Sequence, residues 1–476
     1  MAMTLDGYFE ISARGSTLSR EVRGGLATFF TMAYIVVLNP LILGGGKDKF
    51  GATLDPVAVA AATALVAGLM TILMGTLARF PLALAAGLGV NAMVAYEIAP
   101  KMTWADAMGL VVIEGLIIGV LVLTGLREKI FHSVPAQLKI AIGVGIGLFL
   151  TVIGFVDAGF VRSTMQSSGP PIGLGVGGRI ITWPGLVFVL GLLFTIVLVV
   201  RKVKAAILIG IAVSTVLAII VEAFAKVGSS LGGSKPAGWS LNVPSWPDKV
   251  FDLPDLSLLG KFSLLGSWQE AGFIVAVMFV FTLLLTDFFD TMGTMVAVGQ
   301  QAGPEGGLIG PDGMPPRTRE ILLVDSVAAA AGGAASVSSN TSYIESASGV
   351  AEGARTGVAN LVTGALFLLA MFVAPLVLVV PFEAASVALV VVGFLMMSSI
   401  KLIDWADYEI AIPAFLAIVI MPFTYSISNG IGAGVIAYTL IKLVRGKARE
   451  VPTLLWVVSA LFVVYFARGA IEAVIN

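Results

Sequence analysis

The sequence predicts an all-α polytopic membrane protein of about fourteen transmembrane helices, on three observations. The 476-residue chain is 58% hydrophobic and only 12% charged, with a mean hydropathy of +1.01; a soluble domain carries about 25% charged residues. Its apolar residues form continuous runs of about 20, the length that crosses a bilayer as helix, rather than the alternating segments of a membrane barrel. The two halves also resemble each other: TFFTM at 28–32 lines up with DFFDT at 287–291, each early in its half and followed by a Gly-rich stretch.

Composition excludes several functions. Net charge is −1, which leaves no basic surface for nucleic acid. Cysteine is absent, so disulfides, thiolate metal sites and cysteine nucleophiles are ruled out. His132 is the only histidine, which makes no metal site and no Ser–His–Asp triad. No constellation for hydrolytic or metal chemistry remains, so the chain does not read as an enzyme.

Residues 1–22 are polar, lack a cleavable signal pattern and read as a cytoplasmic lead-in. Apolar runs place spans near 25–44, 57–78, 84–99, 105–125, 136–156, 181–200 and 205–225, a first repeat over 23–226. A Pro/Gly/Ser/Trp-bearing external loop covers 227–266. Runs near 268–298, 320–336, 342–354, 356–379, 382–400, 409–424 and 428–445 make the second repeat, 267–446. The hydrophobic run at 452–474, within the tail 447–476, reads equally as a fifteenth span or an interfacial helix.

Arg20 and Arg23, then Arg127 and Lys129, then Arg201, Lys202 and Lys204 fall on one side if the N-terminus is cytoplasmic. Arg317 and Arg319 continue the pattern; Lys442, Arg445, Lys447 and Arg449 fit it only if 409–424 and 428–445 are separate spans. Seven spans per copy is an odd number, so the second copy is inverted, as in many secondary transporters.

Two segments break the hydrophobic rhythm. PLALAAGLGVNAMVAYEI at 81–98 is interrupted by Gly87, Gly89 and Asn91, and SVSSNTSYIESASGV at 336–350 is polar where a span is expected. Interrupted spans at matching places in two halves point to a midplane binding site. Asn91 lies 63 residues after Thr28, and Glu345 lies 58 after Asp287.

Into this setting fall the acids. A carboxylate at a helix centre costs roughly 2.5–3.5 kcal/mol on insertion scales, and no Arg or Lys stands near these in sequence. Asp287 and Asp290, at i and i+3, share a helix face. Glu345 sits in the polar run with Ser342, and Asp325 one span earlier. Asp287 and Glu345 read as solute-binding, proton-carrying groups. Asp290 reads as a solute contact or a cap on a helix break, Asp325 as a proton carrier or a structural hydrogen-bonding group. Asn91 reads as a solute contact, and Glu114 as a packing residue. GVGIG at 143–147 lacks the strand–helix context of a dinucleotide loop and reads as close helix packing. GGGKDKF at 44–50 reads as an external loop.

RGGLATFFTMAYIVVLNPLIL, AAGLGVNAMVAYEI, TDFFDTMGT and TSYIESASGVAEGARTG together resemble the nucleobase–cation symporter-2 superfamily, and within it the AzgA-like guanine/hypoxanthine permeases. Four motifs in order, over nearly the whole chain, carry the resemblance. It implies fourteen spans in two inverted seven-helix repeats, with short strands breaking spans 3 and 10. It also implies a core domain near 23–126 plus 267–379, and a gate domain near 134–226 plus 380–446 that dimerises. The implied substrate contacts are Asp287, Glu345, Asn91 and Asp290, with Thr28, Phe288, Ser342 and Gly89 around them; Phe29 is a second stacking candidate. The implied proton-coupling acids are Asp287, Asp325 and Glu345. Relatives outside this branch carry Glu at the position of Asp287, so their preferences do not transfer.

The expected function is proton-coupled purine nucleobase uptake across the cell (inner or plasma) membrane by an elevator motion. Guanine and hypoxanthine lead, with adenine and xanthine in the same class. Beyond the proton as coupling ion, no cofactor and no metal is expected. The rival on the same fold is a sulfate-carrier-like anion transporter or channel, which buried acids would oppose.

Overall fold

Capping residues set where the helices begin. Thr17, Asp55, Thr103, Thr182, Asp407 and Ser426 each accept a hydrogen bond from a backbone N–H in the first turn that follows, and Pro56 and Pro184 occupy first-turn positions that need no donor. In a computed structural model, residues 5–125, 134–164, 171–175, 178–180, 182–230, 237–240, 242–247, 249–303, 308–310 and 314–475 are described, without the side chains of Phe289 and 468–475. Arg127, Lys129 and His132 lie outside the described residues.

The first half runs α1 (Leu5–Phe9), α2 (Leu18–Met32), α3 (Ile35–Gly45), α4 (Pro56–Leu73), β1 (Leu84–Ala86), α5 (Leu88–Met93), α6 (Trp104–Leu123), α7 (Ala136–Asp157), the antiparallel pair β2 (Val161–Ser163) and β3 (Ile172–Leu174), α8 (Trp183–Val200) and α9 (Ala206–Ala225). The second runs α10 (Gly266–Glu270), α11 (Phe273–Gln300), α12 (Thr318–Ala334), β4 (Asn340–Ser342), α13 (Ser346–Ala351), α14 (Val358–Ala370), α15 (Phe382–Met397), α16 (Tyr408–Thr424), α17 (Ile427–Val444) and α18 (Thr453–Ile475). Among the described residues, ten helical stretches are long and apolar enough to cross a membrane. The protein is a mostly helical, multi-pass membrane protein.

Two packing groups emerge. α2 and α4 pack on α14, and α6 packs on α12; separately, α7 packs on α15 and α16, α8 on α9, and α16 on α17. Small residues let these backbones approach, because association inside lipid rests on close van der Waals fit. A Cβ on Gly24 of α2 would lie 2.6 Å from the Cβ of Ala354, and one on Gly154 of α7 would lie 3.0 Å from the Cβ of Leu389.

The interrupted segments meet at the centre. β1 and β4 pair antiparallel, Leu84 opposite Ser342, Ala85 opposite Thr341 and Ala86 opposite Asn340. Each strand runs into a short helix, α5 or α13. Backbone that leaves a helix inside lipid needs new partners. The Gly87 N–H donates to the Ser339 carbonyl (2.9 Å), Tyr343 N–H to Ala83 O (3.0 Å) and Ala83 N–H to Ser346 Oγ (2.9 Å). The Asn360 amide donates to Phe80 O (3.0 Å) and Leu82 O (2.8 Å), Asn39 to Val337 O (3.2 Å), and the Tyr343 hydroxyl to Ala86 O (2.6 Å). Ser336 and Ser338, at φ of 58° and 69°, make the left-handed bends that turn the chain from α12 into β4.

Three features add to the expectations. The first span is divided at Ala33–Tyr34 into α2 and α3. The loop at 227–266, expected to be external, is docked onto the helices through its described residues. Trp239 is fully buried and donates to Glu222 (2.8 Å), Ser240 donates to Glu383 through its backbone (3.0 Å) and hydroxyl (2.9 Å), and the Gly260 and Ser263 amides donate to Ala334 O and Ala105 O (2.8 Å each). The run at 452–474 is helical throughout as α18, about 34 Å long at 1.5 Å per residue. It lies antiparallel to α17, with Thr439 and Ser459 hydroxyls 2.8 Å apart and Phe462 packed against Gly432 and 6.2 Å from the Phe281 ring.

Candidate functional site

Strand geometry sorts the polar run by face. Successive side chains of a strand point to opposite sides, so Asn340 and Ser342 face one way and Thr341 the other. Ser342 turns toward α12, where its hydroxyl donates to Asp325 Oδ1 (3.1 Å). The Thr291 hydroxyl of α11 donates to the same oxygen (2.7 Å). Asp325 is fully buried and ties α11, α12 and β4 together. On the other face the Thr341 hydroxyl donates to Asp290 Oδ2 at 3.3 Å.

Asp287 and Asp290 are separated by this arrangement. Three residues along a helix leaves them about 60° apart around its axis. Asp287 is fully buried, whereas Asp290 is exposed, and the neighbouring Gly293 faces open space. Asp290, the more ambiguous of the two in sequence, is the acid that reaches the opening.

Glu345 stands at the start of α13 and makes no side-chain cap bond to that helix. Its carboxylate accepts instead from the Tyr34 hydroxyl at 2.6 Å, across the break between α2 and α3. Its backbone is held from the same side, since Thr31 Oγ1 lies 2.9 Å from Ser348 Oγ and 3.5 Å from Glu345 O. Glu345 is half-buried, and neither it nor Asp290 forms an ion pair among the described residues.

Asn91 is fully buried in α5, and neither atom of its amide has a protein hydrogen-bond partner among the described residues. Gly89, on the same short helix, approaches α7 so closely that a Cβ there would lie 2.7 Å from Ile146 Cγ2. Thr28 is buried where α2 crosses α13, against Gly349. Phe288 is fully buried within the helix packing, and Phe29 is half-buried, edge-on to Phe367 at 5.1 Å. The structure therefore brings Asp290, Thr341, Glu345 and Tyr34 around the strand pair, and sets Asp287, Asp325, Ser342 and Phe288 in the packed layer behind it. Tyr34 and Thr341 escape sequence reasoning. Tyr34 stands in an ordinary apolar run, 311 residues from its partner Glu345.

A family profile described as a permease family matches residues 19–432. The chain is 38% identical over 464 residues to the guanine/hypoxanthine permease PbuG of Bacillus subtilis, covering 96% of this chain and 98% of that one. The chain belongs to the nucleobase–cation symporter-2 family. This symporter-2 chain is also 36% identical over 461 residues to the adenine permease AdeQ of Escherichia coli, covering 96% and 95% of the two. Among solved structures it is similar to the transmembrane domain of the cyanobacterial bicarbonate transporter BicA, at 16% identity and a TM-score of 0.56 over 88% of this chain and 97% of that one. It is similar also to SLC26A9, at 11% identity and a TM-score of 0.57 over 90% and 65%. Those two likenesses concern the fold alone. As a symporter-2 protein the chain is a transporter and not an enzyme.

Proposed function

We propose that this permease takes up purine nucleobases, guanine and hypoxanthine before adenine or xanthine, coupled to protons. The observation that carries the reading is the pair of carboxylates, Asp290 and Glu345, at an opening beside paired strands in the middle of an apolar bundle. Glu345 accepts N–H donors from the six-membered ring of the purine: N1–H of hypoxanthine, or N1–H and the 2-amino group of guanine. Charge-assisted bonds shielded from water are strong. Adenine presents an acceptor at N1, and a carboxylate facing it is left unpaired, which disfavours adenine.

Asp290 and Thr341 form the second wall, toward the imidazole ring, and Asn91 supplies an amide from the first-half strand unit. Phe29 is the stacking ring, since Phe288 is enclosed. Proton carriage falls to Glu345 and Asp290, with Asp287 the relay behind Asp290. Asp325, holding two hydroxyls with one oxygen, is assigned a structural place that keeps strand and helices in register.

We assign the α2–α6 and α11–α14 group to a moving core, and the α7–α9 and α15–α17 group to a fixed, dimerising gate. The antiparallel strand pair, one strand from each half, supports two inverted seven-helix repeats of about fourteen spans. The core carries the purine past the gate as an elevator, with the N-terminus on the cytoplasmic side of the cell membrane. An anion carrier on the same fold is disfavoured, because Asp290 and Glu345 repel an anion from the opening.

The test is labelled-hypoxanthine uptake into proteoliposomes under an imposed pH gradient, with guanine, xanthine, adenine and sulfate as competitors. Wild type accumulates label and loses accumulation with a protonophore, and Glu345→Gln abolishes uptake while remaining monodisperse. Unchanged uptake by Glu345→Gln, or competition by sulfate and not guanine, would overturn the reading.

A further inference from the structure

We propose that Tyr34 is the positioning residue of purine recognition: its hydroxyl holds one oxygen of Glu345, so that the carboxylate presents its other oxygen to the N1–H edge of the ring. The inference rests on Glu345 being the purine acceptor. Tyr34 itself is fully buried, so it does not line the opening and acts through Glu345. It occupies the turn between α2 and α3, where the first span changes direction, and that turn aims its ring across to the start of α13.

Three observations give the contact its weight. At 2.6 Å it has the length of a charge-assisted hydroxyl–carboxylate bond. It is the one side-chain donor that Glu345 receives among the described residues, and no Lys or Arg competes for the carboxylate. The backbone beneath is fixed by Ser348 of α13, whose hydroxyl donates to Glu345 O and meets Thr31 of α2, which leaves the carboxyl torsions as the freedom Tyr34 removes. A glutamate side chain with three free torsions seldom holds one orientation unaided, and ordering it on binding costs affinity.

The experiment compares hypoxanthine with 1-methylhypoxanthine, which lacks the N1–H, on wild type and Tyr34→Phe, by binding to purified protein and by uptake. Wild type is expected to bind hypoxanthine at least tenfold more tightly than the methylated ring. Tyr34→Phe, whose ring packing is unchanged, is expected to weaken hypoxanthine by up to about tenfold, the cost of ordering the freed carboxylate on binding. It leaves 1-methylhypoxanthine unaffected, so the two ligands converge, and the change appears in KM with kcat within about twofold. Wild type that fails to discriminate the two rings overturns the Glu345 reading itself. Discrimination in wild type, with Tyr34→Phe matching it or losing both ligands equally, overturns the Tyr34 assignment alone. Loss of the folded protein on removing one hydroxyl also overturns it, by giving Tyr34 a structural role.

Discussion

Replacing Asp325 by alanine removes one oxygen that serves two buried hydroxyls, Thr291 at 2.7 Å and Ser342 at 3.1 Å. In a water-soluble protein, hydrogen bonds to a charged group contribute about 1.5–3 kcal/mol each, which sets an upper figure of about 3–6 kcal/mol for the pair. Inside a bilayer the measured average is about 0.6 kcal/mol with a maximum near 1.7, because a membrane-inserted chain finds other partners. Thr291 has such an alternative in the carbonyl one turn earlier on α11. Ser342 has less choice, since its strand is already paired with β1. The membrane figure governs, and the expected loss is about 2 kcal/mol, on the order of 2 °C in the apparent melting midpoint for a chain of 476 residues. Asp325→Asn keeps an acceptor oxygen and should lose less than half as much.

The measurement is the fraction of purified protein that stays monodisperse after stepped heating, with all variants in one detergent because unfolding is irreversible. Asp325→Ala melting with wild type, or Asp325→Asn falling as far as Asp325→Ala, refutes the structural assignment. Uptake supplies the second half of the test. Asp325→Asn is expected to keep protonophore-sensitive accumulation; exchange without accumulation would instead move Asp325 onto the proton path.

Three further outcomes follow from the same geometry. Gly89→Val places a methyl against Ile146, where even a Cβ would stand 2.7 Å away; hypoxanthine binding should persist while uptake falls at least tenfold, and Ile146→Ala in the same chain should restore part of it. Glu97, 6% exposed at the end of the first-half strand unit, accepts from Ser426 Oγ (2.8 Å) and Ile427 N–H (3.1 Å) at the start of α17. Glu97→Ala should therefore loosen the core–gate contact, raising the labelling rate of a cysteine placed at Tyr425 in a chain without native cysteine. Asp290→Asn should weaken purine binding more than Asp287→Asn does, because Asp290 is the exposed member of the pair; the reverse order in equilibrium binding would return the contact to Asp287.

How much of this was legible in the sequence differs between the fold and the site. Gly87, Gly89 and the run at 336–350 marked both breaks, because helix-breaking and polar residues inside lipid survive only where other groups satisfy the backbone. Which acid of the TDFFDT motif faces the opening was not legible. An amphipathic helix announces its inner face by contrast with its outer one. α11 is apolar on all sides, so the orientation of Asp287 against Asp290 depends on where β4 places Thr341, a tertiary fact. The Tyr34–Glu345 contact was hidden for a related reason: a tyrosine in an apolar run is indistinguishable from core until the turn at Ala33–Tyr34 carries it across the break. The docking of the 227–266 loop was not legible, because its Pro, Gly and Ser content describes backbone freedom, whereas its fixation comes from Trp239 finding Glu222 at the end of α9 and Ser240 finding Glu383 in α15. Hydropathy and breaks thus mark the two segments that meet at the strand pair, β1 with α5 and β4 with α13. The side chains proposed to meet the solute are set by pairings between residues 51 and 311 positions apart. For this reason the Tyr34→Phe and Asp290→Asn comparisons test the site more sharply than any further reading of its motifs.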